Sequence, residues 1–99
     1  MITPQMVEEF KERMHITHSM EDSNLQRLLS SSFAAIKQNC GEFDISESET
    51  GKELVFERTR YVYNDALEFF QDNFISELQS FAFSLLPDPV EEGDTIDQV

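Results

Sequence analysis

Residues Asn24–Gly41 read NLQRLLSSSFAAIKQNCG, and this stretch decides the fold class. Its apolar residues Leu25, Leu28, Leu29, Phe33, Ala35, Ile36 and Cys40 recur every three or four positions. Turned at about 100° per residue they fill an arc of about 160°, with Gln26, Arg27, Ser30, Lys37 and Gln38 opposite. That period belongs to a helix with one buried side; a half-buried strand would alternate. Gly41 stands where a left-handed residue commonly ends a helix. At the other end Ser19 or Thr17 can cap free N–H groups, and Glu21 and Asp22 suit the positive end of the helix dipole. The spacing predicts a helix over residues 20–40.

Working outward, Thr3-Pro4 is a start signal, because threonine caps and proline fits the first helical position. Met6, Val7, Phe10 and Met14 follow at helical spacing, predicting a helix over 4–15. Downstream, GEFDISESETGK over 41–52 is polar and acidic and reads as a loop, with Phe43 and Ile45 as tethers onto the core. A third helix is expected from about Glu53 to Asp72. Its apolar residues span an arc near 160°, which Leu54 and Tyr61 widen further, more than one packing partner requires. Asn73 marks a break, and Phe74, Ile75, Leu78, Ala82 and Leu85 fit a fourth helix to about Leu86. The alternation Phe81-Ala82-Phe83-Ser84-Leu85 also fits a strand. Pro87 and Pro89 end the pattern. The fold class is therefore all-α, a bundle of three or four helices over 1–86, with a flexible acidic tail over 87–99.

With 99 residues the chain has room for one core. It carries 20 Asp+Glu against 7 Lys+Arg, a net charge of −13, which argues against gripping nucleic acid or anionic lipid through a basic patch. A 39% apolar content with nine Phe is enough to form a core, so the acidity does not signal disorder. One cysteine excludes an internal disulfide and suits a reducing compartment. No apolar run has membrane-spanning length. The charge is also uneven. Residues 1–60 hold all 7 bases and 11 acids, whereas 61–99 hold 9 acids and no base.

The candidate chemistry is thin. Glu12-x-x-His15 has the spacing of a di-iron helix, but that site needs a second such pair and two further carboxylates. His15-x-x-His18 offers two nitrogens without a third ligand at metal-site spacing. Cys40 falls on the apolar arc and reads as a small core residue without an activating positive neighbour. There is no phosphate-cradling glycine loop and no nucleophile elbow. The expected protein is not an enzyme and needs no metal or cofactor.

The aromatic residues Tyr61, Tyr63, Phe69, Phe70, Phe74, Phe81 and Phe83 carry more information. About half belong in a core. The width of the arc and the proximity of Arg58 and Arg60 to two tyrosines point to a contact surface, since Tyr and Arg are preferred interface anchors. The expected subunit or partner interface is Arg58, Tyr61, Tyr63, Phe70 and Phe74. The acids Asp65, Glu68, Asp72 and Glu77 form a second candidate set, a negative wall.

Taken in order, MHIT (Met14–Thr17), HSMEDSNLQRLL (His18–Leu29), NCGEF (Asn39–Phe43) and RYVYNDALEFFQDNFISELQSFAFSLL (Arg60–Leu86) resemble the head–tail connector, or adaptor, proteins of long-tailed bacteriophages. The resemblance covers about residues 3–86 and departs at His18-Ser19-Met20, where many such proteins carry a run of Asp. It implies a structural, non-enzymatic subunit of a homo-oligomeric ring of about twelve copies, since rings need two different surfaces per subunit. It further implies a place in the virion at the head–tail junction after assembly in the bacterial cytoplasm. The ring would bind the portal protein, extend the DNA channel, and receive the next head-completion (stopper) or tail protein. DNA would pass without specific binding; the absence of any base from residue 61 onward suggests that Asp65, Glu68, Asp72 and Glu77 partly line the channel and repel phosphates, the alternative being that they face outward or toward a basic portal surface. The alternative is a small acidic regulator or inhibitor that mimics nucleic acid on a basic partner.

Overall fold

The computed structural model describes residues 1–87. Four helices follow one another: α1 (Pro4–Met14), α2 (Asp22–Cys40), α3 (Glu49–Tyr63) and α4 (Phe70–Ser84), the last entered through a 3₁₀ turn at Leu67–Phe69. There is no strand among the described residues, and 81–84 is helical. The fold class is all-α, as the periodicity requires. The expected acidic tail lies, apart from Pro87, outside the described residues.

α1 starts where its sequence says it should. The Thr3 hydroxyl accepts from the Met6 N–H at 3.2 Å, and Pro4 fills the first turn. It ends with His15 in the left-handed region (φ 60°), while the N–H groups of His15 and Ile16 reach back to the carbonyls of Glu12 and Lys11. α2 differs from expectation at both ends. Glu21 occupies the N-cap and makes no side-chain cap bond, so neither Thr17 nor Ser19 caps. Gly41 does take a positive φ (119°), but with ψ at 171° it turns the chain outward in an extended form reserved for glycine.

α2 is the hub. Leu25, Leu29 and Ile36 are fully buried, and α2 packs against each of the other three helices. Phe10 from α1 and Val55 from α3 are equally closed off, and the Phe10 and Phe56 rings meet edge to face at 5.7 Å. Each such side chain contributes about 1.5–3 kcal/mol by leaving water. The 41–48 loop is pinned as expected, with Ile45 buried and Phe43 edge-on to Phe33 and Phe81 at 5.3 and 5.0 Å.

The third helix is where the structure corrects the sequence reading. It begins at Glu49, not Glu53, because the Ser48 hydroxyl caps it by accepting from the Gly51 N–H at 2.9 Å. Gly51 thus belongs to the helix. A β-carbon there would strike the Phe43 ring and lie 2.9 Å from Phe81 Cζ. The helix also stops at Tyr63, nine residues before the expected end. Asp65 takes φ 58°, its N–H bonds Val62 O at 3.0 Å, and the Ala66 N–H bonds Tyr61 O at 2.8 Å. This is a Schellman closure with aspartate where glycine is usual. Asn and Asp favour the position because their short polar side chains tolerate left-handed backbone better than other residues do. The wide apolar arc nevertheless stays on α3, from Tyr61 and Leu54 round to Phe56, because this helix packs against α2 and α4 and, through Phe56 on Phe10, against α1.

Polar clasps fix α1 to its neighbours. Lys11, with its side chain buried, donates to Asp22 at 2.9 Å and lies 3.6 Å from Glu8. Arg13 donates two bonds to Glu53 (2.8 and 2.9 Å) and one to Glu57 (2.9 Å), with its guanidinium 5.2 Å from the Phe56 ring centre.

Two outcomes follow. Asp65→Gly relieves left-handed strain and is expected to raise unfolding stability by about 0.5–1 kcal/mol, whereas Gly51→Ala overpacks Phe43 and costs about 1–3 kcal/mol; chemical denaturation measures both. The Arg13 hydrogen bonds hold the Glu53 carboxyl below its ordinary value of 4.5. A carboxyl depressed in the folded state stabilises above its unfolded pKa and loses that contribution as pH falls through its folded pKa. The thermal midpoint is therefore expected to drop as pH is lowered past about 4.5, and Glu53→Gln removes part of that drop.

Candidate interaction surface

Most of the residues expected to meet a partner instead join α3 to α4 within one chain. Phe70 is 4% exposed and stacks on Phe74 with ring centres 4.9 Å apart. Tyr61 stands edge-on to both, at 5.6 and 5.7 Å, and its hydroxyl accepts from Asn73 Nδ2 at 3.0 Å. Phe74 sits at a kink in α4 (φ −119°, ψ 17°), where this cluster closes. Arg58 turns toward α2 and donates to the Ser32 hydroxyl at 3.1 Å, and burial pulls its guanidinium below its ordinary pKa. Tyr63 donates to Glu21 Oε2 at 3.1 Å, and that bond pushes the phenol up. The assignment of Phe70 as an interface residue is corrected: it is core. The half-buried Tyr61, Tyr63, Phe74 and Arg58 present only part of their surface to solvent.

The acids Asp65, Glu68, Asp72 and Glu77 are all exposed, and the kink at Phe74 separates Asp72 from Glu77. Glu77 borders an open groove of about 600 Å³ between the start of α3 and α4, with Ser48, Thr50, Ser76, Ser80 and Ser84 along it and Phe81 below. That groove holds one carboxylate among hydroxyls, an arrangement suited to hydrogen bonding, with no paired acid and base.

Five exposed apolar side chains on this half of the chain were not among the interface residues expected from sequence. Leu67 and Phe69 stand on the 3₁₀ turn at 40% and 56% exposure. Ile75, Phe83 and Leu86 stand on the outer side of α4 or just past it, at 40%, 76% and 61%. Their signal in the sequence was the Asn64-Asp65 pair. A helix restarted at Phe70 places Phe70, Phe74, Leu78, Phe81 and Leu85 on one stripe and Ile75, Ala82 and Leu86 on another.

The other candidates are placed plainly. His15 ends α1, and His18 lies 3.9 Å from Glu21, both outward. Among the described residues no group of three His, Cys, Asp or Glu is placed to hold a metal ion, and no helix is long and apolar enough to cross a membrane. Cys40 Sγ donates to Leu78 O at 3.5 Å, and burial pushes the thiol up, away from a reactive thiolate.

No protein-family model, curated protein or solved structure matches the chain.

The two classes of aromatic separate by mutation. Phe70→Ala is expected to cost about 3–5 kcal/mol, whereas Phe83→Ser stays within about 0.5 kcal/mol of the parent. Equilibrium urea unfolding reads both.

Proposed function

We propose that this chain is a head–tail connector subunit of a long-tailed bacteriophage, a structural protein that assembles as a ring below the portal. In that role it extends the DNA channel and gives the next head-completion or tail protein its platform. The observation that carries the reading is that a chain with a closed core still exposes apolar side chains on two separate elements, Leu67–Phe69 and the outer side of α4. A ring subunit must bury two different surfaces, and exposed apolar side chains at two sites are the raw material for that. Neighbouring copies would meet around the 3₁₀ turn, where Tyr61, Tyr63 and Arg58 are half-buried beside Leu67 and Phe69. The ordered resemblance over residues 3–86 supplies the identity of the assembly.

A negative channel wall is part of the same reading, in narrower form. Its acids on α4, Asp72 and Glu77, belong to the two segments on either side of the kink at Phe74.

Mass measurement in solution, with the chain alone and mixed with a portal protein, tests the proposal. Self-association, or a stable complex with the portal, is expected. A strict monomer that ignores the portal at micromolar concentration overturns it.

A further inference from the structure

We infer that α4 pairs with the α4 of a second copy of this chain, antiparallel and about a two-fold axis. This goes beyond the ring reading: a ring uses two different surfaces per subunit, whereas this pair uses one surface twice. After the kink at Phe74, Ile75, Gln79 and Ala82 follow at steps of four and three, and Leu86 comes four further on. That is the spacing of a seam at which one helix meets another. The three helical members share a side, for Ile75, Gln79 and Ala82 line one hollow of about 180 Å³ with Asn39 and Cys40 of α2. Leu86 lies in the turn that closes α4, its N–H bonded to Phe83 O at 3.2 Å. Ile75, Phe83 and Leu86 are exposed.

Charge narrows what fits there. Between Asn73 and Pro87 the only charged side chain is Glu77. It lies about 160° round the helix from Gln79 and borders the serine-lined groove on the other side of α4. The seam itself is neutral, so a strongly basic or acidic partner finds no countercharge on it. A second copy suits it, because two copies of this seam bring no like charges into contact. The net charge of −13 then acts only at long range, where salt screens it.

The seam is also complementary to itself in size. With the two-fold axis passing between Ser80 and Phe81, Leu86 falls opposite the partner's Ile75 and Ala82 opposite the partner's Gln79. The exposed Phe83 ring then lies beside the partner's Ser76, which is small enough to admit it. Gln79 is the one polar member, and a polar residue in a seam fixes register at some cost in stability. The contact is about three turns long and falls at or below the ~1,200 Å² of a standard interface, so dissociation in the micromolar range is expected. Leu67 and Phe69 stand on the 3₁₀ turn before the kink, off this seam, and are not used by the pair.

Sedimentation equilibrium of the full chain from about 1 to 200 µM tests the pairing. A monomer–dimer equilibrium is expected, and raised salt is expected to keep or tighten it. Gln79→Leu is expected to tighten the dimer about tenfold by making the seam wholly apolar. Ile75→Ser/Phe83→Ser, checked for helicity by circular dichroism, is expected to weaken it at least about tenfold. Glu77→Gln, on the far side of the helix, is expected to leave it unchanged. A chain that is monomeric throughout, a dimer that the double variant leaves intact, or one that Leu67→Ser/Phe69→Ser abolishes instead overturns the inference. So does growth past two copies that the double variant removes, since a surface that meets a different surface builds rings or filaments. Should the double variant misfold, Gln79→Leu and Glu77→Gln decide. A chain that stays monomeric yet binds the portal sinks the pair and spares the connector reading; one that pairs through α4 but neither enlarges nor binds the portal does the reverse.

Discussion

Asp65 in the left-handed conformation is the constraint on which the rest of this molecule depends. It closes α3 through the Val62 and Tyr61 carbonyls and turns the chain within three residues. Because of that reversal α4 runs back along α3 and beside α2, bringing Phe81 to Gly51 and Leu78 to Cys40. A continuous helix through residue 72 would have carried Phe70 away from Tyr61 and left α2 with one partner fewer. The cost is the strain of a non-glycine residue at positive φ, offset by the Tyr61–Phe70–Phe74 cluster that the turn makes possible.

The turn also divides the aromatic residues into those that hold the fold and those left over. Phe70, Phe74 and Phe81 face the bundle; Phe69 and Phe83 face outward. On the inner side the apolar residues recur at the helical period and meet α2. On the outer side Ile75, Phe83 and Leu86 are exposed among the described residues. Charge is partitioned the same way. Lys11, Arg13 and Lys52 are held in clasps among α1, α2 and α3, whereas residues 61–99 carry acids and no base.

Much of this was legible in the sequence, where the evidence was periodic or local. The Thr3-Pro4 start, the buried face of α2 and the Phe43 and Ile45 tethers all followed from spacing and capping chemistry. The end of α3 was harder to read. Asn64-Asp65 interrupts a run of apolar residues that stays in helical register on both sides, so a period measured across the break sees one helix. The interface assignment inherited that error. Phe70 looked free only while it was read as part of α3, and Phe83 and Leu86 gained meaning only once α4 had its own axis.

By itself the sequence determined the helical class, the number of cores and the polarity of charge, because composition and hydrophobic period are properties of the chain and not of its folding path. Tertiary structure decided which aromatics are buried, which cations remain uncommitted and where α4 turns its second stripe. Those outcomes depend on the angle at which α4 returns. The left-handed Asp65, the 3₁₀ turn at Leu67–Phe69 and the kink at Phe74 together shape that return, and no count of residues contains them.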